Sequence, residues 1–261
     1  MPRADADRPT TVAEYLRPAG RLRLIAHRGV SARFPENTLA AFEAAVAAAP
    51  DLIELDVTLS KDGVPVVLHD ATLDRTTDGH GPALERSLAE LERLDAGRWF
   101  DARFAGERIP TLAAALERIG DRVPVNVELK EEAGDALVRP VVEVVRAAGA
   151  EDRVVLSCFE PARLRLAREV APEIARSSLF ARRIHRRRPP GEILAEVGAI
   201  QLSPSRREVT EEMVAACRAL GRPVAVYTVN DPVEARALRA IGVHAVFTDD
   251  VETLRRGLEE A

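Results

Sequence analysis

Eight short runs rich in aliphatic and β-branched residues recur along the chain, and a stretch of helical period follows almost every one of them. The runs are LRLIAH (22–27), LIELDV (52–57), VPVNVEL (123–129), RVVLSCF (153–159), IARSSLF (174–180), AIQLS (199–203), PVAVYTV (223–229) and HAVFT (244–248). Segments rich in Ala, Leu, Glu and Arg at 37–49, 111–119, 135–148, 161–170, 190–197, 210–220 and 231–240 separate them, and VETLRRGLEEA closes the chain. Such alternation demands parallel strands, because each helix carries the chain back across the sheet before the next strand begins. Eight units predict an α/β fold of the closed (β/α)₈ TIM-barrel type, with a doubly wound open sheet as the alternative. Helix starts are punctuated by Asn37, which with Glu36 either caps the first helix or supports a site from behind, by Thr210 with acids behind it, and by Asp231 ahead of Pro232. Each can accept the free N–H groups of a first turn.

One unit breaks the pattern. After LIELDV, the segment TLSKDGVPVVLHD turns at Asp62-Gly63 and runs on as a second extended stretch, the signature of a β-hairpin. Pairing back from that turn brings His69 beside Asp56. Residues 70–110 follow as a long, turn-rich excursion with one short helical stretch near 87–94. With no repeat or low-complexity tail, residues 1–20 read as an N-terminal extension and 21–261 as a single barrel domain.

A strand's period of two puts Glu54 and Asp56 on one face and Ile53, Leu55 and Val57 on the other. NVELK repeats the pattern, with Asn126, Glu128 and Lys130 opposite Val125, Val127 and Leu129. From one strand alone, a wet edge face explains the acids equally well. In a barrel the aliphatic face packs on helices, so the polar face turns to the lumen. Three carboxylates gathered there repel and lose solvation unless a cation joins them. Oxygen ligands suit Mg²⁺ or Ca²⁺ better than zinc, so Glu54, Asp56 and Glu128 are candidate metal ligands. His27 and His69, at strand ends, are then available as general acid and base. Arg28 and Lys130 are candidates to hold an anion. Lys130 is one of only two lysines, with Lys61, in a chain that otherwise uses Arg.

A net charge of −5 argues against a nucleic-acid partner, which would call for a cationic excess. Cys158 and Cys217 are too few for a disulfide framework and read as packed residues. His80, His185 and His244 read as structural or surface groups, because nothing pairs them with the carboxylates. The run ARRIHRRRPP (181–190) reads as a solvated loop, with anion steering as the alternative. No apolar run is long enough to cross a bilayer and no leader segment is recognisable, so a cytoplasmic protein without stable membrane insertion is expected. Oligomeric state is left open.

AHRG, PENT (35–38), IELDV, SKDGVPVVLHD, LDRTT, GERIPTL (106–112), NVELK, VYTVND and FTDD occur in this order from about residue 24 to 250. As a set they resemble the glycerophosphodiester phosphodiesterase family. The resemblance implies a phospholipase-C-like phosphodiesterase barrel, one divalent cation, and hydrolysis of a small glycerophosphodiester to glycerol 3-phosphate and an alcohol. It implies Glu54, Asp56 and Glu128 as metal ligands, His27 and His69 as the acid/base pair, and Arg28 and Lys130 on phosphate. It also places Phe159 and Tyr227 near the glycerol pocket. Cys158 stands where the family usually has Ser, and Tyr227 where it commonly has Trp. Alternatives are a lysophospholipase D-type relative acting on lysophospholipids and a non-catalytic phosphate-ester-binding barrel.

Overall fold

The computed structural model describes residues 8–186 and 188–260. Among the described residues nine strands form: β1 Arg23–Ala26, β2 Leu52–Leu59, β3 Pro65–Val67, β4 Val125–Leu129, β5 Val154–Cys158, β6 Ala175–Phe180, β7 Gln201–Pro204, β8 Ala225–Val226 and β9 Ala245–Thr248. The helices are α1 Val12–Tyr15, α2 Leu39–Ala48, α3 Leu88–Leu91, α4 Leu112–Ile119, α5 Val138–Ala147 and α6 Pro161–Val170. They continue with α7 Arg182–His185, α8 Pro190–Val197, α9 Glu211–Ala219, α10 Pro232–Ala240 and α11 Val251–Glu259. All strands but β3 run parallel, in the order β7-β6-β5-β4-β2-β1-β9-β8. Parallel bridges Leu202–Val224 and Ser205–Tyr227 close β7 on β8, so the eight parallel strands form the expected barrel. This seam is thinner than the 223–229 strand expected from sequence. Pro204 and Pro223 have no N–H to give and serve there only as acceptors, from Tyr227 N and Leu202 N.

The aliphatic faces of the strands pack outward on the helices in one continuous core that includes Ile53, Leu55, Val57, Val125, Val127 and Leu129. The opposite faces line the lumen, as the alternation predicts. At the strands' amino-terminal end, Tyr15, Ile25, Leu52, Ala225, Ala245 and Phe247 form a second cluster. The Tyr15 hydroxyl donates to Gln201 Oε1 at 2.9 Å across this floor. Part of the segment expected as an N-terminal extension therefore fills the base of the barrel, while residues 1–7 lie outside the described residues.

Thr210 and Asp231 cap their helices as expected. Asn37 does not: Thr38 is the N-cap of α2, and Asn37 sits in left-handed backbone at φ 60° with its side chain turned toward β2. The hairpin pairs β3 antiparallel to β2 through Val57–Val67, on the edge that β1 leaves free beyond Ile53. Asp56 O accepts Leu68 N at 3.0 Å on that edge, while Val57 O accepts Lys130 N at 3.0 Å on the other. The next residue along the hairpin, His69, is thereby carried to the carboxyl-terminal mouth. The excursion beyond it has its own small core of Val66, Leu68, Leu73, Ala83, Leu91, Ala96 and Ile109.

Candidate active site

Register alone brings two of the acids together: Glu54 pairs with Asn126 and Asp56 with Glu128 in the β2–β4 ladder. Carboxylate oxygens of Glu54, Asp56 and Glu128 all lie within 4.8 Å of one another. At such spacing two ionised groups repel by about 3–4 kcal/mol at an effective dielectric of roughly 20, so all three cannot be charged without a partner. Burial, followed by the Asp56 charge, pushes the Glu54 carboxyl up to about 8. The same causes raise Glu128. Asp56 is buried as well, but Arg28 and Lys130 outweigh that penalty and hold it below the usual carboxylate range. Its Oδ1 is buried without a hydrogen bond. An all-oxygen set with one unsatisfied oxygen and two carboxyls resisting ionisation suits a hard divalent cation.

The cationic side chains reach the same point. Arg28 occupies left-handed backbone at φ 56°, and its N–H donates to Glu54 Oε2 at 2.9 Å. Gly29 follows at φ 83°, where a Cβ would stand 2.7 Å from the Ala41 backbone, so no larger residue fits this turn. The Arg28 guanidinium donates to Glu36 Oε1 at 2.8 Å and lies 3.1 Å from Asp56 Oδ2. Lys130 Nζ donates to Glu128 Oε1 at 2.9 Å and lies 3.5 Å from Asp56 Oδ1. Asn37 binds Asp56 at both ends, donating from Nδ2 to Oδ2 at 2.9 Å and accepting the Asp56 N–H at 3.3 Å.

Both histidines are held from behind by a carboxylate. His27 Nδ1 lies 2.7 Å from Asp249 Oδ1, and His69 Nδ1 lies 2.6 Å from Asp70 Oδ1. A carboxylate there places the proton on Nδ1 and leaves Nε2 for the reacting group. Burial alone would depress His27, but the Asp249 hydrogen bond and the Glu54 charge raise it overall. Asp249 is itself lowered to about 2; burial opposes this, and the His27 hydrogen bond and charge outweigh it. A cavity of about 440 Å³ opens beside His27 and Arg28, lined also by Ser31, Asn230, Asp249 and Asp250. Phe159 and Tyr227 meet edge to face at 6.2 Å at the ends of β5 and β8. The Tyr227 hydroxyl donates to Phe180 O at 3.2 Å.

The nine residues singled out from sequence thus all stand at the carboxyl-terminal end of the strands. Asp249, Asp70, Glu36, Asn37 and Arg75 also belong to the site's hydrogen-bond network, and the sequence reading assigned them no role or an open one. Asp70 follows His69 directly and Asp249 follows the last strand, and those positions were the available signals. His80 is exposed, His185 stacks on Phe180 at 5.3 Å, and His244 packs against Tyr15, so none joins the site. In the arginine-rich run, Arg183 pairs with Glu131 at 3.5 Å, and Arg187 lies outside the described residues.

A closed parallel barrel whose mouth carries three clustered carboxylates, two carboxylate-backed histidines and two cationic side chains defines the protein as a barrel enzyme of the phosphodiesterase type. The chain belongs to the glycerophosphoryl diester phosphodiesterase family, whose family model matches residues 27–253. It is 37% identical over 234 residues to the glycerophosphodiester phosphodiesterase of Caldanaerobacter subterraneus subsp. tengcongensis, covering 88% of this chain and 95% of that one. Its structure is similar to that of an Oleispira antarctica phosphodiesterase in complex with the product sn-glycerol-3-phosphate. The TM-score is 0.85 at 34% identity, over 91% of this chain and 96% of that one. The glycerophosphodiester phosphodiesterase from Agrobacterium tumefaciens matches with a TM-score of 0.79 at 32% identity, over 90% of this chain and all of its own.

Proposed function

We propose that the chain hydrolyses glycerophosphodiesters to glycerol 3-phosphate and an alcohol, with a divalent cation on Glu54, Asp56 and Glu128 and with His27 and His69 as the acid/base pair. The observation that carries this reading is the meeting of two carboxylate-backed histidines and a three-carboxylate cluster at one barrel mouth. The product held by the Oleispira antarctica relative supports the substrate class. With Glu54, Asp56 and Glu128 all ionised around it, a divalent ion together with Arg28 and Lys130 would leave the site positive and matched to a phosphodiester monoanion. When bound, Mg²⁺ or Ca²⁺ would neutralise phosphoryl oxygens and the charge that builds on them.

Arg28 and Lys130 would take non-bridging oxygens of the phosphate. One histidine Nε2 would remove a proton from the attacking hydroxyl, and the other would give a proton to the departing alkoxide as its P–O bond breaks. Water and the substrate's own glycerol 2-hydroxyl both meet the requirement for the nucleophile, the latter through a cyclic phosphate. The Phe159–Tyr227 pair would receive the carbon face of the glycerol. No helix among the described residues is long and apolar enough to cross a membrane.

The test is a panel of glycerophosphodiesters, with lysophosphatidylcholine beside it, assayed on chelator-stripped protein with Mg²⁺ or Ca²⁺ returned separately. Release of glycerol 3-phosphate should require one of the two ions. Full turnover in excess chelator, or turnover of the lysophospholipid alone, would overturn the proposal.

A further inference from the structure

Arg75 lies in the excursion after the hairpin, outside the barrel and away from every residue given a direct role above. Its guanidinium nevertheless uses both of its donor edges on the site's supports. One edge grips Asp70, with Nε to Oδ2 at 2.6 Å and Nη2 to Oδ1 at 3.0 Å. The other grips Glu36, with Nη1 to Oε2 at 2.8 Å and Nη2 to Oε1 at 2.8 Å. Asp70 is the carboxylate behind His69, and Glu36 is the carboxylate that holds Arg28. One planar group therefore joins a chain that runs from His69 through Asp70, Arg75 and Glu36 to Arg28, and from Arg28 to Asp56.

The surroundings fix Arg75 for this task. Leu73, two residues earlier, is buried in the excursion's own core. Its N–H donates to Gly81 O at 3.0 Å, while its carbonyl accepts Thr77 N at 3.1 Å and Thr77 Oγ1 at 2.7 Å. The turn that presents Arg75 is thus tied on both sides. The two carboxylates respond as the geometry demands. Asp70 is lowered to about 2, first by its bond to Arg75. Glu36 is lowered because Arg75 and Arg28 outweigh its burial.

We infer that Arg75 is a positioning residue that sets the proposed acid/base His69 and the proposed phosphate-holding Arg28 as one unit. The inference rests on the function proposed above. Only arginine can do this, because two carboxylates on two edges need a planar fork; a lysine ammonium is a point donor and cannot grip both in two-point fashion. The excursion's own core gives the turn that carries this side chain a fixed base.

The test compares wild type with Arg75→Ala and Arg75→Lys in two readouts. The first is turnover of a glycerophosphodiester. Loss of an outer hydrogen-bonding partner of this kind should lower kcat/KM about 10- to 100-fold in both variants. It should act on kcat through His69 and on KM through Arg28 together, and added guanidinium should recover part of the loss in Arg75→Ala. The second is the proton resonance of His69 Nδ1 in substrate-free protein, which should move or broaden in both variants. Arg75→Lys serves alone should Arg75→Ala not fold. Turnover within threefold of wild type and an unmoved His69 resonance would overturn the inference. If wild type turned over no glycerophosphodiester, the proposed function would fall, and the His69 resonance would still decide the link.

Discussion

Replacing Glu54 and Asp56 together by alanine is expected to abolish divalent-cation binding and to lower turnover by on the order of 10³-fold or more, the equivalent of several kcal/mol of transition-state stabilisation. The fold should survive, because Arg28 keeps Glu36 and Lys130 keeps Glu128 as partners. Made singly, Asp56→Ala and Glu54→Gln should differ in stability. Asp56→Ala strips the carboxylate from between two buried cations and leaves Asn37 without its acceptor. Breaking a buried pair in this way costs up to roughly 3–5 kcal/mol. Glu54→Gln removes a source of repulsion and should leave the cation-free protein as stable as before. Calorimetric titration with Mg²⁺ and Ca²⁺, assays and thermal unfolding would check all three statements. Undiminished hydrolysis by the double variant would rule out this metal site.

The same geometry sets a pH dependence. Glu54 is raised to about 8 in the cation-free chain, so the folded state holds this proton more tightly than the unfolded state does. Its contribution to stability is complete below the ordinary carboxyl range and is lost as pH rises from there through about 8. A cation must displace that proton, so its apparent affinity should climb with pH up to about 8 and level off above.

His27→Ala and His69→Ala should each lower kcat by about 10²- to 10⁴-fold while leaving cation affinity nearly unchanged, as expected for proton-transfer groups that are not ligands. A large loss of cation affinity in His69→Ala would instead make it a ligand. The proton roles can be separated through Asp249, which raises His27 by accepting from Nδ1. In Asp249→Asn, the limb of the pH–rate profile that belongs to His27 should move to lower pH, and the other limb should stay. Movement of the alkaline limb identifies His27 as the acid, and movement of the acidic limb identifies it as the base. A profile with neither limb moved would exclude His27 from the proton transfers.

The barrel was legible because its eight strands and seven of its outer helices each carry a period in the local sequence, and because Asp62-Gly63 marks the one hairpin. The carboxylate cluster was legible for the same reason: alternation chooses a face, and a closed barrel makes that face the lumen. Asn37 was left between a helix cap and a support of the site because Asn suits both an N-cap and a left-handed turn, and only the fold places Asp56 opposite it. Asp249 and Arg75 were beyond local reading. Asp249 meets His27 across 222 residues, and Arg75 meets Glu36 across 39. Such pairings are decided by where loops land, which no periodicity encodes.

Tyr15 and the apolar cluster around it shut the lumen at the end opposite the carboxylates. Among the described residues the barrel is therefore a cup that is filled at its base, and whatever enters to react at the mouth must leave by the way it came. The phosphorylated product and the next diester then contend for one doorway and one anion seat. Added glycerol 3-phosphate should inhibit competitively against the diester if it is the last product to leave, whereas a noncompetitive pattern would show that it leaves before the alcohol.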